Sequence, residues 1–252
     1  MTEKSYDLIV IGAGSGGIAT AKRAAAHGAK TAIIEHGTIG GTCVNRGCIP
    51  KKMMWNAAGI AESLRDAGDY GFDITVRGFD WARIKRARDG YIEHLNDIYS
   101  RGLEAASVEY IHGRARFHNP TTLLINNSQF TSRHVLIATG GQPEVPTLPG
   151  AELGMTSDDF FELERQPRRV MVVGGGYIAV ELAGLLNSLG SEVSLLLRGE
   201  TLLRKFDEAV RDTLMEQMQE HGINILTCIG LTHLERESSG ALALCGTRDF
   251  KI

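Results

Sequence analysis

The sequence predicts an α/β protein built from two Rossmann-like dinucleotide-binding domains. Three observations predict this class. An apolar strand near the amino terminus runs into a glycine-rich turn, a helical segment follows that turn, and the whole pattern recurs with Gly174 in the place of Gly12. Repeated strand, glycine turn and helix are typical of parallel sheets covered by helices. The expected domains are residues 1–143 and residues 144–252.

Composition narrows the class of ligand. The 252 residues are 43% hydrophobic, which is enough for the cores of two domains, and the formal net charge is −3. This balance gives no reason to expect binding to nucleic acid or to an anionic membrane, so we expect small-molecule ligands. The first apolar run, residues 6–14, is too short to cross a bilayer and enters a glycine cluster. We therefore expect a cytoplasmic protein.

The first glycine pattern lies in "DLIVIGAGSGGIATAKRAAAHGAKTAIIE". Gly12, Gly14 and Gly17 have G-x-G-x-x-G spacing between a strand and an alanine-rich helix, and a second strand ends at Glu35. Such glycines permit a tight turn, close approach to a pyrophosphate, and close packing of the helix on the strand. A carboxylate at the end of the second strand can accept hydrogen bonds from ribose hydroxyls. This context favours a dinucleotide site over a glycine turn without a ligand.

The second pattern, "RVMVVGGGYIAVELAG", has G-x-G-x-x-A spacing through Gly174, Gly176 and Ala179. Leu197 takes the place of Glu35, Arg198 follows it, and Arg204 is nearby. This position has no carboxylate to repel a 2′-phosphate, and the arginines would attract one. The second pattern therefore favours NADP over NAD. Alternatively, the arginines are solvated surface charges. The different residues at the strand ends favour two different nucleotides over a tandem repeat that binds one ligand.

The remaining elements follow in order along the chain. Apolar periodicity predicts a helix after the first cysteines and a long helix from near Asp80. Short strands follow within residues 108–141, and a proline-rich crossover lies at residues 141–150. The rest is predicted as an amphipathic helix over 206–222, a strand at 223–227 and a hairpin over 231–246.

Two of the four cysteines stand close together in "GGTCVNRGCIPKKMMW". In a reducing compartment, a pair such as Cys43 and Cys48 is redox-active or metal-binding rather than a structural disulfide. Zinc is disfavoured because Cys228 and Cys245 are distant and His36 stands alone, which leaves too few ligands.

The backbone between the two cysteines must be irregular. Residues five apart on a regular helix point about 140° away from each other, so they cannot bridge. Asn45 and Gly47 tolerate unusual backbone angles, and Gly40 and Gly41 allow close approach to another group. A helix beginning near Ile49 would place Cys48 at its N-terminus, beside Lys51 and Lys52, where the thiolate is favoured.

The segment "GGTCVNRGCIPKK" resembles the redox-active signature of the class I pyridine nucleotide-disulfide oxidoreductases, a family of FAD enzymes. The resemblance continues through "HVLIATGG" and "GGGYIAVELAG" and covers essentially the whole chain. The stretches "PKKMMWNAAGI" and "YIEHLNDIY" are most similar to the glutathione reductases of the family. Dihydrolipoamide dehydrogenases usually carry serine at the position of Lys52 and an acid at that of Leu197.

The resemblance implies FAD and NADPH as cofactors and glutathione disulfide as the substrate. It implies that Cys48 faces the flavin, that Cys43 attacks the substrate, and that Lys51 lies near the flavin, paired with Glu181. Tyr177 would cover the nicotinamide pocket. The positions implied to contact the cofactors are Gly12, Gly14, Ser15, Gly16, Gly17, Glu35, Gly41, Thr42, Lys51, Ala115, Thr139, Gly140, Gly174, Gly176, Tyr177, Ile178, Ala179, Glu181, Arg198 and Arg204.

The same resemblance implies a substrate site at Ser15, Lys22, Tyr91 and Tyr99. A cation at Lys22 would suit the carboxylates of glutathione. Ala19 and Ile98 lack the acidic and methionine substitutions of trypanothione reductases, which favours anionic glutathione. On the residues alone, the tyrosines could be core residues, Tyr177 could pack under a helix, and the lysines could be a solvated helix start.

Two departures from the family pattern bear on function. Arg46 replaces a small apolar residue between the cysteines, and we expect its charge to lower the pKa of the thiols. The second flavin motif, the dimerisation domain and its His-Glu pair have no counterpart up to Ile252, although the full-length family forms homodimers. Three interpretations remain: a glutathione-disulfide reductase, a truncated non-catalytic fragment that binds FAD or NADPH, and another disulfide or mercuric-ion reductase.

Overall fold

A computed structural model describes residues 4–247 and 250–251 and has the predicted α/β fold. The helices are α1 (Ser15–Ala26), α2 (Gly41–Asn45), α3 (Cys48–Asp66), α4 (Trp81–Ala105), α5 (Ser157–Phe160), α6 (Tyr177–Ser188) and α7 (Glu208–Glu220), with 3-10 turns at Ala67–Tyr70 and Ala151–Leu153. The strands are β1 (Lys4–Ile11), β2 (Thr31–Glu35), β3 (Glu109–His112), β4 (Ala115–Asn119), β5 (Thr122–Ile125), β6 (Ser128–Ile137), β7 (Arg169–Val173), β8 (Glu192–Leu196), β9 (Asn224–Leu226), β10 (Leu231–Arg236), β11 (Leu242–Gly246) and β12 (Phe250–Lys251). Across the described ranges, no helix is both long and apolar enough to span a bilayer.

The chain divides into two compact units. The first contains the chain up to Pro50 together with Arg86–Gln142, and the second contains Lys51–Lys85 together with the chain from Pro143 onward. Residues 51–85 therefore pack with the second unit, whereas the sequence assigned them to the first domain. The reason is the apolar face of α3, because Met54 and Ala58 are buried in one cluster with Leu182 of α6. The nucleotide-binding domains at 1–143 and 144–252 stay predictions.

The first unit is built on a six-stranded sheet of order β3-β2-β1-β6-β5-β4. Strands β3, β2, β1 and β6 are parallel, and β4 and β5 continue the sheet in antiparallel pairs. Successive residues of β1 point to opposite faces. Val10 accordingly lies in a core with Ile18 of α1, and Ile9 lies in another with Leu123 of β5. Both faces of the central strand are thus buried.

The second unit contains two three-stranded sheets. Strands β7, β8 and β9 are parallel in that order, and β10, β11 and β12 are antiparallel. The predicted hairpin is β10–β11. The predicted amphipathic helix is α7, and the Asp207 carboxylate caps it by accepting from the N–H of Ala209 at 3.0 Å.

The two glycine patterns have the same strand register at a constant offset of 162 residues, the offset from Gly12 to Gly174. Leu8 pairs with Thr31 in β1–β2, and Val170 pairs with Val193 in β7–β8. The copies differ in the connection after the second strand. Residues 36–108 lead to β3, whereas residues 197–223 lead to β9. The longer connection carries the cysteine pair.

Candidate active site

The first glycine turn brings the ends of β1, β2 and β6 together. Gly12 has a φ of 106°, and its N–H donates to the carbonyl of Ile34 at 2.8 Å. A β-carbon at Gly12 would overlap the carbonyl of Ala138 and lie 3.2 Å from Cα of Thr139. A β-carbon at Gly17 would overlap the carbonyl of Gly12. Only glycine therefore permits this approach of helix, turn and strand.

The N-terminus of α1 is open to an anionic group. Gly14 is its N-cap, with no side-chain hydrogen bond, and the first turn has no acidic residue. A β-carbon added at Gly16 would meet no atom within 4 Å. Unpaired N–H groups and the positive end of the helix dipole suit a pyrophosphate. The residues present thus fit the phosphates of a dinucleotide.

Glu35 lies at the end of β2, held by backbone donors. Its Oε2 accepts from the N–H of Ala13 at 2.9 Å, and its Oε1 accepts from the N–H groups of His36 and Gly37, each at 2.8 Å. Burial raises the pKa of this carboxyl, but the three N–H donors outweigh burial and hold the pKa below its usual range. Glu35 is therefore an anion with lone pairs left for a ribose hydroxyl.

The cysteine segment packs directly on the glycine turn. Gly41 has a φ of 63°, and a β-carbon there would lie 2.6 Å from Cα of Gly14. Helix α2 then carries Thr42 and Cys43 and is capped at its C-terminus by Arg46, whose N–H donates to the carbonyl of Thr42 at 2.8 Å. Close contact between the glycines fixes α2 beside the start of α1.

An irregular turn brings the two cysteines together, as the sequence predicted. Helix α2 ends at Asn45 and α3 begins at Cys48. Between them, Gly47 folds back so closely that its β-carbon would lie 2.9 Å from the carbonyl of Thr42. As a result, the thiols of Cys43 and Cys48 lie within hydrogen-bonding distance, and both are free cysteines.

The environment of Cys43 differs from the expected one. Burial, followed by the hydrogen bond and charge of Cys48, raises the pKa of the Cys43 thiol. The Ser15 hydroxyl and the Cys48 N–H act in the opposite direction but do not outweigh burial. The rise comes from burial and from Cys48, so the expectation that Arg46 lowers the pKa of the thiols stays a prediction. Sequence inspection could not reveal how far this thiol is buried.

An asparagine pair supports this turn, and sequence inspection missed it. Asn96 of α4 donates to the carbonyl of Ile39 at 2.8 Å and to the Asn45 side chain at 3.1 Å. Asn45 itself donates to the carbonyls of Ile39 and Gly41 at 3.0 and 2.9 Å. The signal was weak, since Asn96 is a polar residue within a long helix.

In the second unit, Lys51 of α3 pairs with Glu181 of α6. Lys51 Nζ lies 2.8 Å from Glu181 Oε1, and both side chains are about a quarter to a third exposed. This is the ion pair that the resemblance implied. Trp55, one turn further along α3, lies against the α6 backbone at Gly184, where a β-carbon would lie 4.0 Å from the indole ring. The small residue at 184 lets the two helices meet.

The second glycine turn repeats the geometry of the first. Gly174 has a φ of 136° and donates to the carbonyl of Leu196 at 3.0 Å, and Gly176 caps α6 without a side-chain hydrogen bond. A β-carbon at Gly174 would lie 3.7 Å from that of Ala179, so alanine fits where the first copy has glycine. Tyr177 and Ile178 are exposed at the open end of α6.

The end of β8 has the predicted composition. Leu197 is buried against Gly175, while Arg198 and Arg204 are exposed. Within residues 4–247, neither guanidinium forms an ion pair with a carboxylate. Both cations are therefore available to an anionic ligand, and no carboxylate occupies the position of Glu35.

A surface depression of about 580 Å³ lies beside the cysteine pair in the first unit. Of the four predicted substrate residues, it brings together Ser15, Lys22 and Tyr99. Tyr91 is exposed on α4 but does not line the depression. Arg23 lines it and was missed, because a basic residue on an alanine-rich helix is usually a solvated charge. The remaining lining residues are Ile18, Ala19 and Ala26.

Two further predicted positions lie at strand ends of the first sheet. Gly140, with a φ of 71°, follows β6 and comes two residues after Ala138, which contacts Gly12. Ala115 begins β4, two residues after Gly113, whose N–H donates to the carbonyl of Glu35 at 2.8 Å. The structure thus places Gly140 near the glycine turn and Ala115 near Glu35.

Comparison with known proteins agrees with this geometry. The family model for pyridine nucleotide-disulphide oxidoreductase matches residues 6–249. The chain belongs to this family. FAD and NADPH are the cofactors of its glutathione reductase members.

Two curated relatives are glutathione reductases from yeasts. The chain is 45% identical to that of Yarrowia lipolytica over 258 residues, which cover 97% of this chain and 55% of the relative. It is 47% identical to that of Schizosaccharomyces pombe over 251 residues, which cover 96% and 54%. The chain thus spans about half the length of the relatives that it matches.

Proposed function

We propose that this chain carries the FAD site, the NADPH site and the redox-active dithiol of a glutathione-disulfide reductase. The observation that carries the proposal is the placement of the Cys43 and Cys48 thiols against each other and against Ser15, at the open N-terminus of α1. Family membership and two glutathione reductase relatives support the same reaction.

The cofactor residues follow from the two glycine turns. In this proposal the α1 turn and Glu35 hold FAD, with Gly41 and Thr42 beside its pyrophosphate. The α6 turn, Arg198 and Arg204 hold NADPH. Bound FAD would pass two electrons from NADPH to the Cys43–Cys48 disulfide. In this proposal Lys51, whose Nζ lies 2.8 Å from Glu181 Oε1, is the lysine that the family resemblance assigns to the flavin.

The dithiol performs the exchange with substrate. Cys43 loses its proton, attacks one sulfur of glutathione disulfide and releases the first glutathione as a thiolate. Cys48 then attacks the mixed disulfide, which releases the second glutathione and leaves the Cys43–Cys48 disulfide. The Ser15 hydroxyl stabilises the Cys43 thiolate through its hydrogen bond.

The charge of the neighbouring depression supports glutathione disulfide as the substrate. Lys22 and Arg23 put two cations on the wall, and Ser15 links that wall to Cys43. Peptide carboxylates are attracted to such a surface. Ala19 keeps the wall free of the acidic side chain that a cationic substrate would need.

The experiment that tests the proposal uses the purified chain loaded with FAD. We expect this protein to oxidise NADPH only when glutathione disulfide is present. The Cys48→Ser variant should lose this activity. A second candidate function is nucleotide binding without turnover. Yellow protein without glutathione-dependent oxidation would support that candidate. Oxidation driven equally by lipoamide or mercuric ion would assign another branch of the family.

A further inference from the structure

The second unit carries a cluster of metal-ligating side chains far along the chain from the dithiol. His233, Glu235 and Cys245 each offer one ligand atom, and these three atoms lie within 4.8 Å of one another. We propose that they form a zinc site on the β10–β11 hairpin. The site is separate from the proposed reductase chemistry and does not depend on it.

The strand register puts all three side chains on one face of the hairpin. His233 and Glu235 are two residues apart in β10, so they project on the same side. Cys245 pairs directly with His233 in the antiparallel ladder. The register shifts between Leu231 and His233, and such bulges re-aim side chains. Convergence of the ligands therefore follows from the backbone.

The surroundings of His233 suit metal binding through its Nε2 atom. The Thr232 hydroxyl lies 3.1 Å from Nδ1, and Nε2 lies 3.9 Å from the carboxylate of Glu235. In the tautomer that has its proton on Nδ1, this N–H donates to the Thr232 hydroxyl, and Nε2 then has a lone pair on the side of Glu235. A metal-bound imidazole usually has such a partner on its second nitrogen, which fixes the ring.

The donor set indicates the kind of metal. Thiolate, imidazole and carboxylate together suit zinc, whereas magnesium and calcium require oxygen ligands. Three protein ligands leave a fourth tetrahedral position for water. His233 Nε2 and the Glu235 carboxylate are 3.9 Å apart, and this distance must shorten for both to bind one tetrahedral zinc ion. The His233 and Glu235 side chains are both partly exposed, at 42% and 46%.

The hairpin is anchored on the side of the preceding loop. The N–H of Leu234 donates to the carbonyl of Pro149 at 2.9 Å, and Gly150 lies directly against the carbonyl of Leu234. This contact fixes β10 between the two ligands that it carries.

Zinc titration followed by calorimetry tests the site. The Cys43→Ser, Cys48→Ser double variant serves as background, so that any zinc bound is not held by the dithiol. We expect one zinc ion per chain, with affinity lowered at least tenfold by His233→Gln and by Cys245→Ser and about tenfold by Thr232→Val. Cys228→Ser is the matched control and should leave the affinity unchanged.

Cobalt(II) provides a second readout in the same background. We expect thiolate-to-cobalt charge-transfer absorption that disappears in Cys245→Ser and persists in Cys228→Ser. Circular dichroism of each metal-free variant shows whether it is folded, which separates loss of metal binding from loss of folding. We expect His233→Gln to leave the fold intact, because the His233 side chain is partly exposed. The proposal is overturned if the background binds no zinc at micromolar concentration, or if binding survives Cys245→Ser unchanged.

Discussion

Cys43 receives opposing influences from its two polar neighbours. The Cys48 thiol raises the pKa of Cys43, after burial, and the Ser15 hydroxyl lowers it. The same residues that would hold substrate and cofactor therefore also set the reactivity of the attacking sulfur. The raised pKa favours the thiol form of Cys43 and limits the reaction of this sulfur with other electrophiles.

Two substitutions should shift this pKa in opposite directions. Ser15→Ala removes a hydrogen bond to the thiolate and should raise the pKa of Cys43, whereas Cys48→Ala removes a neighbour that raises it and should lower the pKa. The measurement is the pH dependence of Cys43 alkylation in reduced protein, followed by peptide mass spectrometry. Equal midpoints in the two variants would contradict the assignment.

Glu35 makes a pH-dependent contribution to stability. Its pKa is lowered in the folded chain, so its stabilisation is present above the ordinary pKa of about 4.3 and is lost as the pH falls through the lower folded value. We expect Glu35→Gln to reduce the free energy of unfolding by about 2 kcal/mol at pH 7. In urea titrations, the difference in the free energy of unfolding between the variant and the wild type should shrink below a pH of about 4.3. A difference that does not depend on pH would refute the role of the charge.

At the scale of elements, the contact between α2 and the first turn positions the dithiol. Gly41 lies against Gly14, and its φ of 63° favours glycine. The glycine spacing made the turn itself predictable, because each glycine answers a local requirement. The packing of residues 51–85 with the second unit was not predictable, since it depends on contacts between α3 and α6 that local periodicity does not encode.

Gly41→Ala should disrupt this contact. The added β-carbon and the left-handed φ together should cost about 2 kcal/mol or more and should slow disulfide formation between the cysteines. Gly90→Ala is the matched control, because Gly90 lies within α4 with no atom near its β-carbon, and alanine there should stabilise by up to about 1 kcal/mol. Equal unfolding midpoints for the two variants would count against the proposed packing.

At the scale of the whole molecule, two copies of one nucleotide-binding pattern have diverged at the end of the second strand. The first copy ends in Glu35, and the second ends in buried Leu197 followed by exposed Arg198. The shared register and the changed end group were both readable from the sequence, because the offset of 162 between Gly12 and Gly174 holds throughout the strands. Divergence of this kind lets one chain hold two different nucleotides.

The arginines should set the preference for the phosphorylated nucleotide. Arg198→Ala should weaken NADPH binding about tenfold, equivalent to about 1.4 kcal/mol, and should leave NADH binding unchanged. Lys205→Ala, which removes an exposed cation one residue from Arg204, is the control and should change neither affinity. Fluorescence titration with both nucleotides measures the effect, and parallel losses for NADPH and NADH would contradict the 2′-phosphate contact.

In the proposed mechanism, Cys43 and Cys48 form one dithiol that exchanges electrons with glutathione disulfide. The most direct measurement mixes the reduced chain with one equivalent of glutathione disulfide, without cofactors, and then counts released glutathione and maps disulfides by mass spectrometry. We expect this reaction to release two glutathione molecules per chain and to leave an intramolecular Cys43–Cys48 disulfide. Glutathione left attached to Cys43, or spread over Cys228 and Cys245, would contradict it.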